Sequence, residues 1–153
     1  MHFVRFGFVI SMFLLAALLV AAPAAFARDE VVMIPIASVM NMPEAHQKLG
    51  DSVKFTFGAQ PAGRVAQDFG PYVVNPKTNG FAKSADKACE WAFLSALISL
   101  QDHAASVGAN AVINIVSYYD KHVVTSDTAF ECHKGFLMAG VALRGDVVRL
   151  AGH

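Results

Sequence analysis

Ser84-Ala85-Asp86-Lys87-Ala88-Cys89-Glu90-Trp91-Ala92-Phe93-Leu94-Ser95-Ala96-Leu97-Ile98-Ser99-Leu100-Gln101-Asp102-His103-Ala104-Ala105-Ser106-Val107-Gly108 is followed directly by Ala109-Asn110-Ala111-Val112-Ile113-Asn114-Ile115-Val116. The first part reads as a long helix, about Ala85 to Val107. Ser84 is its N-cap, Asp86 sits in the first turn where the positive dipole end favours an acid, and Gly108 is its stop. Cys89, Phe93, Ala96, Leu97, Leu100 and Ala104 recur at three- and four-residue steps and form the buried stripe. Trp91, Leu94 and Ile98 widen the apolar surface, so more than one flank is covered. The small residues Ala88, Ala92, Ser95 and Ser99 allow another element to approach closely. The second part changes period. Val112, Ile113, Ile115 and Val116 form the near-continuous apolar run of a central strand.

Upstream, Val31 to Ala37 reads as a first strand whose Pro35 suits a sheet edge. Pro43 opens a short helix, Pro43 to Leu49, ended by Gly50. Val53, Phe55 and Phe57 alternate with Lys54 and Thr56 as a half-buried strand does. From Gly58 to Gly80, glycines and prolines punctuate the chain without a dominant period; Tyr72-Val73-Val74 reads as a short strand, and Asn75 to Gly80 as an exposed loop. Downstream, Asp120-Lys121 makes a turn or bulge and Val123-Val124-Thr125 extends the sheet. Ala129 to His133 then returns toward the helix, and Phe136 to Leu143 is a last strong strand, separated by Gly145-Asp146 from Val147 to Leu150. The expected fold class is α+β: an antiparallel or mixed sheet with the long helix packed on a face, and a short N-terminal helix.

The N-terminus predicts an address. Arg5 is the single cation before an apolar run from Phe8 to Ala22, Pro23 breaks that run, and Ala25-Phe26-Ala27 places small residues where signal peptidase requires them. Residues 1–27 therefore read as a signal peptide cleaved after Ala27, and residues 28–153 as a single domain. The run of about 15 apolar residues is short of the roughly 20 that span a bilayer as a helix, and no cysteine stands at its end for acylation. The expectation is a periplasmic or secreted domain with no stable membrane insertion after cleavage.

Removing 27 of the 153 residues leaves 126, and with them goes one of the 12 basic residues and none of the 12 acids. The net charge becomes −1. The remaining cations are scattered, which argues against nucleic acid as a partner. Both cysteines, Cys89 and Cys132, lie in the mature chain, and an even pair in an oxidising compartment favours a disulfide that staples helix to sheet.

Candidate chemistry is sparse. Gly80-Phe81-Ala82-Lys83-Ser84 lacks the G-x-x-x-x-G-K-[ST] spacing of a phosphate loop, and no G-x-S-x-G elbow or H-E-x-x-H step occurs. No catalytic residue and no cofactor is therefore expected. A hairpin would let His122 and His133 face each other, with Glu131 on the same side of its strand as His133. His122, Glu131 and His133 are the donor types of a zinc or copper site, against the plainer reading of a solvated strand edge. Tyr118 and Tyr119 form a pair of aromatics at a strand end, suited to anchoring a partner, although alternation turns one ring inward. The expected function is a non-catalytic binding or interaction module of the cell envelope, its partner an envelope protein or small ligand. A metal-handling protein is the alternative.

Several motifs also carry a resemblance. They are Met42-Pro43-Glu44-Ala45, Ser52-Val53-Lys54-Phe55, Lys77-Thr78-Asn79-Gly80, Ala88-Cys89-Glu90-Trp91-Ala92 and Leu94-Ser95-Ala96-Leu97-Ile98. With them go Gly108-Ala109-Asn110-Ala111-Val112, Val116-Ser117-Tyr118-Tyr119, Glu131-Cys132-His133 and Met138-Ala139-Gly140-Val141-Ala142-Leu143. Together these resemble a family of small exported bacterial proteins often catalogued as "excinuclease ATPase subunit". That label implies nucleotide chemistry for which these residues have no phosphate loop. More remotely, the helix and the Gly108-Ala109-Asn110-Ala111-Val112 step are similar to YbjQ-type domains and to the sensor lipoprotein of the Rcs envelope-stress pathway. That likeness implies a compact sheet-and-helix domain working by contact. The chain differs from the Rcs sensor in lacking its lipidation cysteine and its second cysteine pair.

Overall fold

A computed structural model describes residues 30–152; the signal peptide and cleavage site expected from the sequence lie outside the described residues. The class is α+β. The strands divide into two four-stranded sheets rather than one. The first has the order β1 (Glu30–Pro35), β6 (Ala129–Lys134), β7 (Met138–Gly140), β4 (Lys77–Asn79). The second has the order β2 (Lys54–Phe57), β5 (Ala111–Ser117), β8 (Leu143–Leu150), β3 (Val65–Val74). All pairings are antiparallel except β2 with β5, so the second sheet is mixed.

One long ribbon joins them. Val74 opposes Leu143, and three residues further on Lys77 opposes Gly140, so β3–β4 and β7–β8 keep one register through the gap between sheets. Pro76 sits in that gap. It has no N–H to give the ladder, but its carbonyl accepts from Val141 N at 3.2 Å. The ribbon bends there, and the last strong strand expected over Phe136 to Leu143 is divided between two sheets. Asn75 to Gly80, expected as a loop, contributes the edge strand β4.

The long helix α3 (Ala85–Ser106) packs between the sheets, touching strands of both. Ser84 caps it as the sequence predicts, its Oγ accepting from Lys87 N at 3.2 Å, and Gly108, at φ +75°, provides the left-handed turn that ends it. The six stripe residues are completely buried, as are Ala88 and Ala92. Phe93 stacks on Phe130 of β6 at 3.9 Å between centroids. Beside them the Cys89–Cys132 disulfide links α3 to β6, with Cα atoms 5.8 Å apart and both residues fully buried.

Two short helices, α1 (Ile36–Met40) and α2 (Pro43–Lys48), follow β1. Proline at the end of β1 stops the strand and donates nothing to the ladder, so the first strand ends two residues earlier than Ala37. Pro43 begins α2 as expected.

Strand β5 is central, with buried residues on both faces. Its regular alternation breaks at Asn114, which adopts φ +52° and adds one residue against β8. This bulge lets Val112 and Ile115 both point at the main core, while Ala111 and Ile113 form a second small cluster with Val148 and Leu150 on the other side. Opposite the bulge, Gly145 lies inside β8 and does not separate two strands. A Cβ there would come within 2.5 Å of Val112 Cγ1 and 3.0 Å of Ile115 Cγ1, so the glycine is required by close packing.

Candidate functional site

The period of two along the first sheet sorts its residues between core and surface. Phe130, Cys132, Ile34 and Ala139 face α3 and are buried. Thr78 faces it too, its hydroxyl donating to Ala88 O at 3.0 Å. The opposite face carries Val31 and Met33 from β1, Glu131 and His133 from β6, Met138 and Gly140 from β7, and Lys77 from β4. The ladder puts Val31, His133, Gly140 and Lys77 in one row across four strands. No described helix covers this face.

A groove of about 360 Å³ lies over His133, Gly140 and Lys77 of that row. Its floor is Gly140, where the missing side chain leaves room; the Lys77 Cγ and Cε atoms lie 3.5 and 4.0 Å from where a Cβ would stand. The aliphatic stem of Lys77 thus runs over the floor. On the far side His133 forms a wall, its Nε2 2.8 Å from Glu131 Oε1, both side chains 15% exposed. Tyr119 stacks on the His133 ring with centroids 3.4 Å apart and planes 9° from parallel. The carboxylate fixes the imidazole from one edge and the phenol ring covers its face, so neither ring swings freely.

The remaining wall is the β6–β7 turn. Phe136 and Leu137, with Met138 beside them, line the groove and are 69%, 57% and 45% exposed. Phe81 meets Phe136 edge-on at 6.0 Å and is itself exposed. Four large apolar side chains therefore stand together in water at one end of the sheet, with Val31 and Met33 exposed elsewhere on its outer face.

The tyrosine pair is divided between two partners. Tyr118 packs under Arg144, whose Cζ lies 4.8 Å from its ring centroid, on the side of the second sheet. Tyr119 turns to the first sheet and builds the groove. A 3₁₀ turn, Tyr119–Lys121, with Asp120 at φ +47° and Lys121 at φ +66°, makes this divergence.

The metal trio is not assembled. Glu131 and His133 are side by side, but His122 lies in the exposed segment after that turn, and the described residues contain no group of three or more His, Cys, Asp or Glu able to hold a metal ion. The physical reason is that Val123-Val124-Thr125 does not extend the sheet as a strand. Among the described residues this segment makes a single isolated bridge, Val124 to Ser117, so no hairpin carries His122 across to His133. Ser117 instead uses its hydroxyl to accept from Glu131 N at 2.9 Å, tying β5 to β6.

Sequence reading named Tyr119, His133 and Glu131 but missed Lys77, Gly140 and the Phe136–Met138 wall. An apolar triplet next to a glycine, Gly135-Phe136-Leu137-Met138, was the available signal, since turns rarely expose three large apolar residues in succession. No family model, curated protein or solved structure matches the chain.

Proposed function

We propose that this chain is exported, loses residues 1–27, and serves as a non-catalytic binding module of the cell envelope, with the outer face of the first sheet as its binding surface. The observation that carries this reading is the clustering of Phe81, Phe136, Leu137 and Met138 in solvent beside the Tyr119–His133 groove. Contiguous exposed apolar surface rimmed by polar groups is what interaction sites present, and aromatic residues and methionine are enriched there. The buried disulfide supports an oxidising compartment, where such bonds persist. The signal-like leader and the resemblance to small exported bacterial proteins point the same way.

The test is site-specific photo-cross-linking in cells producing the full chain, with the photoreactive residue at Leu137 and, as control, at exposed Ala105 on α3. The reading expects a discrete adduct from Leu137 that is absent from Ala105 and abolished by Phe136→Asp, on a product whose N-terminus is Arg28. Absence of an adduct at Leu137, or an equal yield at Ala105, rejects the surface; an N-terminus at Met1 rejects export with cleavage.

A further inference from the structure

We propose that the groove over Gly140 binds an amphipathic organic carboxylate, its acid group on the Lys77 ammonium and its apolar body against Phe136, Leu137 and Met138. The inference rests on the outer face being the binding surface and names the ligand that face takes.

Charge complementarity carries it. The residues lining the groove include one lysine and one histidine and no acid. Lys77 forms no ion pair among the described residues, where the ammonium–carboxylate pair is Lys87 with Glu90. Glu131, on the same face of β6, is hydrogen-bonded to the His133 ring at 2.8 Å and is not among the groove's lining residues. Lys77 lines the groove with its stem over Gly140 and is exposed, so its ammonium is accessible to a charge-assisted hydrogen bond with a bound carboxylate.

Shape and chemistry select within anions. One ammonium satisfies one carboxylate, whereas a phosphate ester of double charge calls for several convergent donors. A volume of about 360 Å³ falls at the small end of ligand pockets and suits a body of one or two rings or a medium acyl chain. Tyr119, held flat against His133, and Phe136 offer rigid aromatic surfaces for such a body.

The probe is 2-naphthoate, titrated into the full mature chain and followed by amide and aromatic NMR, with 2-naphthalenemethanol as the neutral counterpart. The proposal expects shifts confined to Lys77, Tyr119, His133, Gly140 and the 136–138 turn, and affinity for the alcohol lower by about tenfold or more, as loss of a charged hydrogen bond implies. Lys77→Met should weaken naphthoate about tenfold and leave the alcohol unchanged, Lys77→Arg should retain binding, and Gly140→Val should remove it by filling the floor. Lys77 is exposed, and an unaltered amide spectrum elsewhere establishes that its variants fold. No groove shifts at millimolar naphthoate, or equal binding by Lys77→Met, overturns the ligand assignment. If that occurs while Leu137 still cross-links in cells, the carboxylate class fails and the binding surface stands; if both fail, both are wrong.

Discussion

Asn114 shows how much one residue decides. In a strictly alternating β5 it would share a face with Val112 and bury an amide in the core. At φ +52° it turns outward, and its Nδ2 donates to Asp146 Oδ2 at 2.8 Å. Asparagine tolerates this backbone region better than other non-glycine residues. Asn114→Ala should therefore cost about 1–2 kcal/mol in urea unfolding, and Asn114→Gly less, because glycine keeps the bulge and loses only the side-chain bond. Across the ladder, Gly145→Ala should cost about 1–3 kcal/mol through overpacking against Val112 and Ile115. Thr56 predicts the opposite sign. It is 4% exposed and its hydroxyl has no hydrogen-bond partner among the described residues, so Thr56→Val should raise stability by about 1 kcal/mol, read as a higher urea midpoint at unchanged slope. Residue patterns announced the cysteine pair, Ser84 and the α3 stripe because each acts locally or has a single possible partner. They announced neither the bulge, which a continuous apolar run conceals, nor the separation of His122 from Glu131 and His133, which depends on how a long loop closes.

At the level of elements, α3 and β5 were legible because both are buried and strongly periodic. Strand β3 was not. It is a ten-residue edge strand, mostly exposed, with register shifts before and after Asp68 and a proline at position 71, so burial imposes no alternation on it. β7 and β8 merged into neighbouring runs because their boundary is set by the bend at Pro76 on the opposite strand, a distant partner that no local window contains. The disulfide fastens α3 to β6, the strand that supplies His133 to the groove and Glu131 to hold its ring, across 43 positions of chain. Removing it by Cys89→Ala with Cys132→Ala should lower stability by about 2–4 kcal/mol. Because the pair is completely buried, part of that cost is lost packing beside Phe93 and Phe130. The intact mass of the native protein should lie about 2 Da below that of the reduced form, since forming the bond removes two hydrogens.

Taken whole, the molecule commits its two sheets differently. The second sheet covers part of its outer side with the Ala111–Ile113–Val148–Leu150 cluster and the segment around Ala62. Among the described residues the first sheet carries no α-helix on its outer face, where Tyr119 covers His133 and Val31, Met33 and Met138 are exposed, and no helix is long and apolar enough to cross a membrane. Phe136 and Leu137 pack little against the core, so replacing both by Asp should change folding stability by no more than about 0.5 kcal/mol while abolishing partner capture. A stability loss of several kcal/mol would instead assign the pair to the fold. The central claim, that this open face is the working surface, is tested most directly by radical footprinting of the full chain in intact cells against the purified protein. The account predicts that protection in cells concentrates at Phe81, Phe136, Leu137 and Met138, with Tyr72 and Val73 on the edge of the second sheet labelled equally in both. Equal labelling of the four clustered residues, or protection confined to the second sheet, would contradict it.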